Sequence, residues 1–246
     1  MSIINCQLSI FYYLCMLKHS KMRIQQIFLF TFTAFIPFWG MAQETAPSVS
    51  PTATYYDEDG EVVESSDMIQ GQAPLTVNFR ANPSDMFGYN PTYEWHFRME
   101  GEAKDFMVRY EEDTEYTFTK AGTTRVTLYV DLGTDTLELD STVFQVIISE
   151  SKLVFPNAFS PNGDQRNDIY KAKEYQSLVE FHAYIFNRWG QKLYEWTDPA
   201  EGWDGTFNGK DVSEGTYFVL VKAKGADGRE YNIRKDVNLL RGYLEE

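Results

Sequence analysis

The chain has 246 residues, of which 16% are aromatic, and a formal net charge of −14. After removal of a leader, this length leaves room for two domains of about 100 residues each. Frequent Tyr, Phe, Thr and Val favour strands, so we expect an all-β protein. The negative charge argues against nucleic acid and anionic lipid as partners, because both are negatively charged themselves.

A secretory signal is predicted at the start of the chain. A basic start at Met22 and Arg23 is followed by an apolar run over residues 27–39 and by a small-residue cleavage site that ends at Ala42. Because these parts form a complete signal peptide, we expect Met22 to be the true start and residues 1–42 to be leader. The apolar run is too short to span a bilayer stably, and an uncleaved anchor is the alternative.

Cysteines and charges are distributed unevenly. Both cysteines, Cys6 and Cys15, lie in the predicted leader, which excludes disulfides and thiolate metal sites from the mature chain. Residues 44–152 carry 7 basic and 21 acidic side chains, whereas residues 153–246 carry 12 basic and 15 acidic ones. The acidity of the middle region favours solubility outside the cell, or attraction of cations or of a basic partner.

Residues 55–149 are predicted to form the first domain. Residues 43–54 are rich in Pro, Ser, Thr and Ala and lack periodicity, which indicates a linker. Short alternating segments separated by glycine turns then predict an immunoglobulin-like β-sandwich. The expected strands are Leu75–Phe79, Tyr93–Phe97, Tyr116–Phe118, Arg125–Val130 and Val143–Ile148.

Three segments of this domain, Gly71–Phe79, Tyr93–Phe97 and Thr117–Gly122, carry a resemblance to a known module. They resemble the PKD family, an immunoglobulin-like domain of bacterial surface proteins, which implies a role in protein or glycan interaction. The chain departs from the family after Trp95, where an acidic turn is replaced by His-Phe-Arg-Met-Glu. Trp95 itself is expected to anchor the core.

Residues 153–246 are predicted to form a second sandwich, joined to the first at a hinge near residues 149–152. The Asp227-Gly228 pair is a strong hairpin signal. The fold class expected is therefore all-β, with two tandem immunoglobulin-like β-sandwich domains after a signal peptide. The clearest strands of the second domain are Leu178–Phe186, Gln191–Trp196, Thr216–Ala223, Arg229–Ile233 and Val237–Leu240.

Several motifs of the second domain occur in the order and spacing of one family. They are Pro156–Asp164, Asn167-Asp168, Phe186–Gln191, Gly202–Gly205, Gly209-Lys210, Gly215–Tyr217 and Leu239–Arg241. They resemble the gliding-motility-associated C-terminal domain, whose members are type B sorting domains of the type IX secretion system in Bacteroidetes-type bacteria. The chain departs at Gln165-Arg166, where the family often has Gly, and in the five residues after Arg241.

This resemblance implies an exported protein, periplasmic in transit and finally secreted or at the outer-membrane surface. The implied partners are the type IX secretion translocon and a PorP/SprF-like outer-membrane protein, with a surface glycan or an envelope signalling protein as further candidates. Two roles stay open: cargo whose first domain binds protein or glycan, or a PorA-like component that signals secretion status. The lack of a sizeable passenger favours the component.

One loop of the second domain invites a calcium interpretation. Asn162, Asp164, Asn167 and Asp168 place oxygen-bearing side chains close together, as a hard cation requires. The EF-hand pattern fails, however, because Arg166 occupies one of the alternate positions. Asx turns that fix an irregular loop are the preferred interpretation, so we expect no cofactor.

The predicted sorting contacts are the turn Asn187, Arg188, Trp189 and Gly190 and the terminal Arg241. Exposed Arg and Trp side chains are favoured anchors in recognition, so the turn can present a cation and an aromatic face to a partner or glycan. The structural alternative is a hairpin corner in which Arg188 stacks on or pairs beneath the turn and Trp189 caps the core.

The predicted mature chain contains few residues and motifs that are typical of enzymes. Only His96 and His182 remain after the leader, on separate domains, which argues against a triad or a zinc site. No phosphate-binding Gly-rich motif or Gly-x-Ser-x-Gly elbow is present. We therefore expect a protein that is not an enzyme, in which Trp203 fills one end of the sandwich and Asp204 accepts backbone N–H groups.

Overall fold

The computed structural model describes residues 46–133 and 138–242. The predicted signal peptide, with its start at Met22 and its cleavage after Ala42, lies outside the described residues. Within these two ranges the regular elements are all strands, and no helix long and apolar enough to cross a membrane is found. The all-β prediction is confirmed.

The first sandwich packs a four-stranded sheet, in the order β3-β2-β5-β9, against a five-stranded sheet, in the order β4-β11-β10-β7-β8. Strands β4 and β11 pair in parallel, and the other neighbours in these two sheets are antiparallel. The strands are β1 (Ser48–Val49), β2 (Thr52–Tyr56), β3 (Val62–Ser65), β4 (Met68–Gly71), β5 (Leu75–Arg80), β6 (Pro83–Ser84), β7 (Thr92–Met99), β8 (Met107–Arg109), β9 (Asp113–Phe118), β10 (Gly122–Asp131) and β11 (Glu138–Ile148).

Aromatic rings from both sheets form the core of the first sandwich. Phe79 of β5 lies 5.7 Å from the ring of Trp95, 5.9 Å from that of Phe97 and 5.4 Å from that of Phe144, measured between centroids. Trp95 is fully buried, and its indole N–H donates to the carbonyl of Glu111 at 3.1 Å. The prediction that Trp95 anchors the core is confirmed.

The predicted linker over residues 43–54 is too long. Strand β2 begins at Thr52 and pairs with both β3 and β5, and Ala53 is fully buried. The buried positions here are Pro51 and Ala53, which are too small to produce the apolar alternation that identified the other strands. Residues 43–45 lie outside the described ranges.

The second sandwich is built on a five-stranded sheet in the order β13-β22-β21-β16-β17. Three short antiparallel ladders, β12 with β15, β14 with β18 and β19 with β20, accompany it. The strands are β12 (Lys152–Val154), β13 (Ala158–Phe159), β14 (Tyr170–Lys171), β15 (Glu174–Gln176), β16 (Leu178–Phe186), β17 (Lys192–Trp196), β18 (Gly202–Trp203), β19 (Thr206–Phe207), β20 (Lys210–Asp211), β21 (Gly215–Gly225) and β22 (Glu230–Leu239).

The two strands predicted at Arg229–Ile233 and Val237–Leu240 form one continuous strand, β22. Lys235 interrupts the apolar alternation at a position that faces the domain. Its amine donates to the carbonyl of Phe155 at 3.1 Å and to the side chain of Asn157 at 2.6 Å. A polar residue is accommodated at this position because its amine has hydrogen-bond acceptors there.

Trp203 occupies the core of the second sandwich. It is fully buried, lies 5.4 Å from the ring of Phe159 and 5.0 Å from that of Tyr217, and its indole N–H donates to the carbonyl of Thr206 at 2.7 Å. Asp204 accepts the backbone N–H of Thr206 at 2.9 Å. Both predictions for the Trp203-Asp204 pair are confirmed.

The segment predicted as a hinge is packed between the two sandwiches. Ser177, at the start of the second sheet, is only 1% exposed; its hydroxyl accepts the backbone N–H of Ala73 at 3.2 Å and shares a hydrogen bond of 2.7 Å with Ser149. Ala121 donates its N–H to the carbonyl of Ala226 at 3.0 Å. We call this set of contacts the seam.

Ser151 fixes the segment after the seam to the second sandwich. It is 5% exposed, and its hydroxyl donates to Asp227 at 2.7 Å and lies 2.9 Å from the hydroxyl of Tyr231. The hydrogen bond from Ser151 lowers the pKa of Asp227. Within the segment predicted as a hinge, Ser149 and Ser151 are therefore bonded to the second sandwich, whereas Glu150 and Lys152 are exposed. The hinge itself stays a prediction.

Truncation of Trp203 tests the core of the second sandwich. Trp203→Ala should lower the free energy of unfolding by about 3–5 kcal/mol, because a large buried aromatic side chain is removed. Denaturant unfolding measures the change. The matched control is Trp189→Ala, since Trp189 is 76% exposed and its loss should change stability by less than about 0.5 kcal/mol. Equal effects of the two substitutions would contradict the packing described here.

Candidate functional site

The turn between β16 and β17 is organised by Asn187. Its side-chain oxygen accepts the backbone N–H groups of Trp189 and Gln191, both at 3.0 Å, and its backbone N–H donates to the carbonyl of Gln191 at 3.0 Å. Gly190 completes the turn with a φ of 80°, a left-handed conformation that favours glycine. Asn187 and Gly190 therefore determine the shape of the turn and leave the two residues between them at its tip.

Arg188 and Trp189 form a stacked pair at that tip. The guanidinium carbon of Arg188 lies 4.5 Å from the centroid of the Trp189 ring, and Trp189 is 76% exposed. The prediction that Trp189 caps the core is wrong, whereas stacking of Arg188 on the turn is found. A cation held over an aromatic ring in solvent offers charge and apolar surface to a partner together.

An apolar strip begins next to this pair on the outer face of the sheet. Phe186, the last residue of β16, pairs with Phe218 of β21, which is 47% exposed. Together with Leu220 and the charged residues Arg234, Lys235 and Asp236 they line a shallow cleft of about 490 Å³. Sequence reasoning missed the strip, although the unbroken apolar run from Tyr217 to Val221 signals a strand that is apolar on both faces.

Arg241 turns its side chain into the domain. Its guanidinium donates to the carbonyl of Pro161 at 3.1 Å and to that of Gly205 at 2.8 Å, and it lies 3.3 Å from the carboxylate of Asp211. Arg241 was predicted as a sorting contact, but these bonds hold three loops of its own domain together. Its role in this structure is to clamp the loops.

The charges of Arg188 and Arg241 both affect the pKa of Tyr217. Burial raises the pKa of the Tyr217 hydroxyl, and the positive charges of Arg241 and Arg188 oppose that rise. The Tyr217 hydroxyl donates to the carbonyl of Ser213 at 2.6 Å. The two arginines predicted as sorting contacts therefore lie at the same end of the second sandwich. They differ in their surroundings, because Arg188 stacks on the exposed Trp189 ring, whereas Arg241 bonds to loops of its own domain.

The loop proposed as a calcium site is organised around Asp168. Its carboxylate accepts three backbone N–H groups, from Asn162 at 2.9 Å, Gly163 at 2.8 Å and Gln165 at 2.7 Å. Asn167 has a φ of 53°, so the loop also contains left-handed backbone. Asp168 thus acts as the acceptor that closes the loop, as the turn interpretation predicts.

Asp164 takes part in the same loop. Hydrogen bonds from the Asn162 side chain at 2.9 Å and from the backbone of Arg166 at 2.8 Å lower the pKa of Asp164. Gln165 has a φ of 68°, which explains why the related family often has Gly at this point. Across residues 46–133 and 138–242, no group of three or more His, Cys, Asp or Glu side chains has the arrangement of a metal site.

Comparison with known proteins identifies the second sandwich. Residues 153–235 match the family model of the CHU_C type IX secretion signal domain. The protein is therefore exported, secreted or at the surface, and its secretion signal domain interacts with the type IX secretion machinery. The C-terminal domain has a sorting role.

No curated protein matches the chain significantly. Solved structures with a distant likeness to it include the following three. The FN1–FN3 domains of chicken CNTN1 are 7% identical over 72% of this chain and 68% of that one, with a TM-score of 0.29. Bacteroides ovatus SGBP-B with a mixed-linkage heptasaccharide is 13% identical over 80% and 48%, with a TM-score of 0.29. Dimeric latent PorU from Porphyromonas gingivalis is 13% identical over 81% and 20%, with a TM-score of 0.23.

Motif residues converge at one place in the secretion signal domain. Gly205 has a φ of 80°, and a Cβ atom there would lie 3.0 Å from Pro161 and 3.1 Å from Leu239. Gly205 and Pro161 also supply the two carbonyls that Arg241 clamps. Motifs that are far apart in the sequence thus meet where the loops at Pro161 and Gly205 pack against Leu239 and Arg241. The turn at Arg188 does not take part in these contacts.

The role of Asp168 can be separated from calcium binding. Asp168→Ala should lower the free energy of unfolding by about 1–3 kcal/mol, because three backbone N–H groups lose a charged acceptor. A chelator should leave the melting temperature of the unsubstituted protein unchanged. Asp236→Ala, which removes an exposed carboxylate from β22, is the control. A large fall in melting temperature with chelator would instead support a calcium site.

Proposed function

We propose that the protein is a non-enzymatic surface protein whose secretion signal domain carries a binding domain, the first sandwich, across the outer membrane. The match of residues 153–235 to the type IX secretion signal domain supports the export step. The first sandwich, with its resemblance to PKD modules, would bind protein or glycan outside the cell.

The contacts of the two histidines support a role without catalysis. Nδ1 of His96 lies 2.8 Å from Asp105 and Nε2 lies 3.0 Å from Glu94. Burial by itself lowers the pKa of His96, but the hydrogen bonds to these two carboxylates outweigh it, and the pKa is raised. His182 stacks on Tyr184 at 4.3 Å between ring centroids. His182 also lies 3.1 Å from the Tyr184 hydroxyl through Nδ1, but these two residues are only two positions apart on the same strand.

The Arg188–Trp189 pair is the surface that we propose for contact with the translocon or with a PorP/SprF-like outer-membrane protein. The pair is exposed, carries one positive charge, and adjoins the apolar strip of Phe186 and Phe218. A charge at the rim of an apolar contact chiefly accelerates and directs association. This arrangement suits recognition of a folded domain through its surface.

A second candidate role is a component that reports secretion status to an envelope signalling protein. The seam supports this role, because its hydrogen bonds join the first sandwich to the secretion signal domain, which a resident component would keep. Deletion of the gene separates the two roles. Loss of export of other type IX substrates would indicate a component, whereas normal export of those substrates would indicate cargo.

Export can be tested with a neutral reporter placed between a signal peptide and residues 46–246. Reporter should reach the cell surface or medium of a host with a type IX system, and should stay periplasmic in a strain without the translocon. Keeping both sandwiches preserves the seam. Immunoblots of whole cells, periplasm and medium measure the distribution. Equal export from the two strains, or periplasmic retention in both, would contradict the proposal.

The same reporter tests the proposed contact. Arg188→Ala and Trp189→Ala should each reduce export severalfold, while Lys224→Ala, which removes an exposed charge near the other end of β21, should not. Removal of residues 237–246 is a poor test, because Val237 and Leu239 are fully buried and the domain would unfold. Unchanged export of both turn variants would show that the contact lies elsewhere.

A further inference from the structure

A cleft of about 510 Å³ opens beside the seam and is lined by both sandwiches. We propose that this cleft binds an uncharged oligosaccharide. The proposal deepens, and rests on, the binding role assigned above to the first sandwich. The lining residues are Tyr55, Tyr56, Asp57 and Glu58 around the end of β2, Gln70 to Leu75 around β4 and β5, and Tyr175 of β15.

Exposed aromatic rings are the first feature that supports a sugar. Tyr56, from the first sandwich, is 65% exposed, and Tyr175, from the second, is 42% exposed. Tyrosine combines an apolar ring face with a polar hydroxyl, which matches a pyranose that has C–H faces and hydroxyl edges. Ligand sites also occur preferentially where domains meet, and a volume of this size is within their usual range.

A preformed polar pair is the second feature. The side-chain amide of Gln72 donates to one carboxylate oxygen of Glu58 at 2.7 Å, across 14 positions of sequence. The bond orients both side chains while the amide oxygen and the second carboxylate oxygen can still accept hydrogen bonds. Sugar hydroxyls donate and accept hydrogen bonds and therefore complement such a pair. Orientation before binding also lowers the entropic cost of association.

Charge limits the kind of ligand. The lining contains Asp57 and Glu58 and no Lys or Arg, so phosphates, sulfates and uronates would be repelled. The carboxylate of Asp57 accepts the N–H groups of Asp59 at 3.0 Å and Glu61 at 2.9 Å, which fixes its position but not its charge, so a basic peptide is the competing outcome of the test. An uncharged ligand that stacks on the tyrosines fits best.

A hydrogen bond of the seam links one lining residue of the cleft to the second sandwich. Ala73, a lining residue, donates its N–H to the hydroxyl of Ser177, which lies two residues after Tyr175. Ser177 adopts a φ of 46°, a left-handed conformation that is unfavourable for serine. Such strain is tolerated where the surrounding structure fixes it, and it is common at ligand-binding positions. Tyr175, two residues before Ser177, lines the cleft together with the tyrosines of the first sandwich.

Calorimetry on the chain from residue 43 to residue 246 tests the proposal. The probes are cellohexaose, laminarihexaose, mannohexaose and xylohexaose, with hexagalacturonate and hexalysine as charged comparisons. At least one neutral hexasaccharide should bind. Tyr56→Ala and Tyr175→Ala should each weaken that binding about tenfold or more, as expected for central aromatic contacts. Gln72→Leu should weaken it as well.

Tyr110→Ala is the matched control, because Tyr110 is 72% exposed and does not line the cleft. It should leave the Kd within about twofold of the unsubstituted value. Melting temperatures of all variants check that the fold is retained, and NMR shifts caused by the bound hexasaccharide should fall at the cleft.

Three results would overturn the proposal: no neutral hexasaccharide binds, only hexalysine or hexagalacturonate binds, or Tyr56→Ala and Tyr175→Ala bind as the control does. Failure of the cleft is distinguishable from failure of export. Reporter carrying Tyr56→Ala and Tyr175→Ala should still leave the cell, and a protein defective in export should still bind sugar after purification.

Discussion

The hydroxyl of Ser177 is the contact on which the relation between the two sandwiches depends. It accepts the N–H of Ala73 from the first sandwich and bonds to Ser149 in the connecting segment. Without it, a buried N–H group would lose its partner, at a cost of about 1–3 kcal/mol. Val179 and Ala226 pack against the core of the first sandwich around this point. The contact between the two sandwiches and the cleft beside it therefore depend on the same set of seam residues.

Within the secretion signal domain, motif residues divide by what they contact. Asp168, Gly205 and Arg241 hold loops together, through backbone hydrogen bonds, a left-handed conformation and a guanidinium clamp. Arg188 and Trp189 instead stack on each other in solvent. The first group explains why a domain with many short ladders keeps one shape, and the second is the exposed pair that we propose as the contact with a partner.

Sequence patterns predicted the strands that alternate clearly, the burial of Trp95 and Trp203, and the loop chemistry around Asp168, because each depends on neighbours close in sequence. They failed at Ala53, because its small side chain does not stand out in an apolar alternation. They also failed at Lys235, because a lysine at an inward position interrupts the alternation of β22 and was read as the end of a strand. Exposure of Trp189 depends on how the turn is presented, which composition does not encode. The cleft could not be predicted from the sequence, because Tyr56 and Tyr175 are brought together only by tertiary packing.

The cleft has a consequence for what happens after export. Tyr175 belongs to the secretion signal domain, while Tyr56 belongs to the first sandwich. If a protease severed the two after delivery, the released first sandwich would lose one wall of its sugar site and would uncover the buried serines and apolar residues of the seam. Removal of the secretion signal domain would thus abolish the ligand site. A mature protein that works through this cleft therefore has to retain that domain.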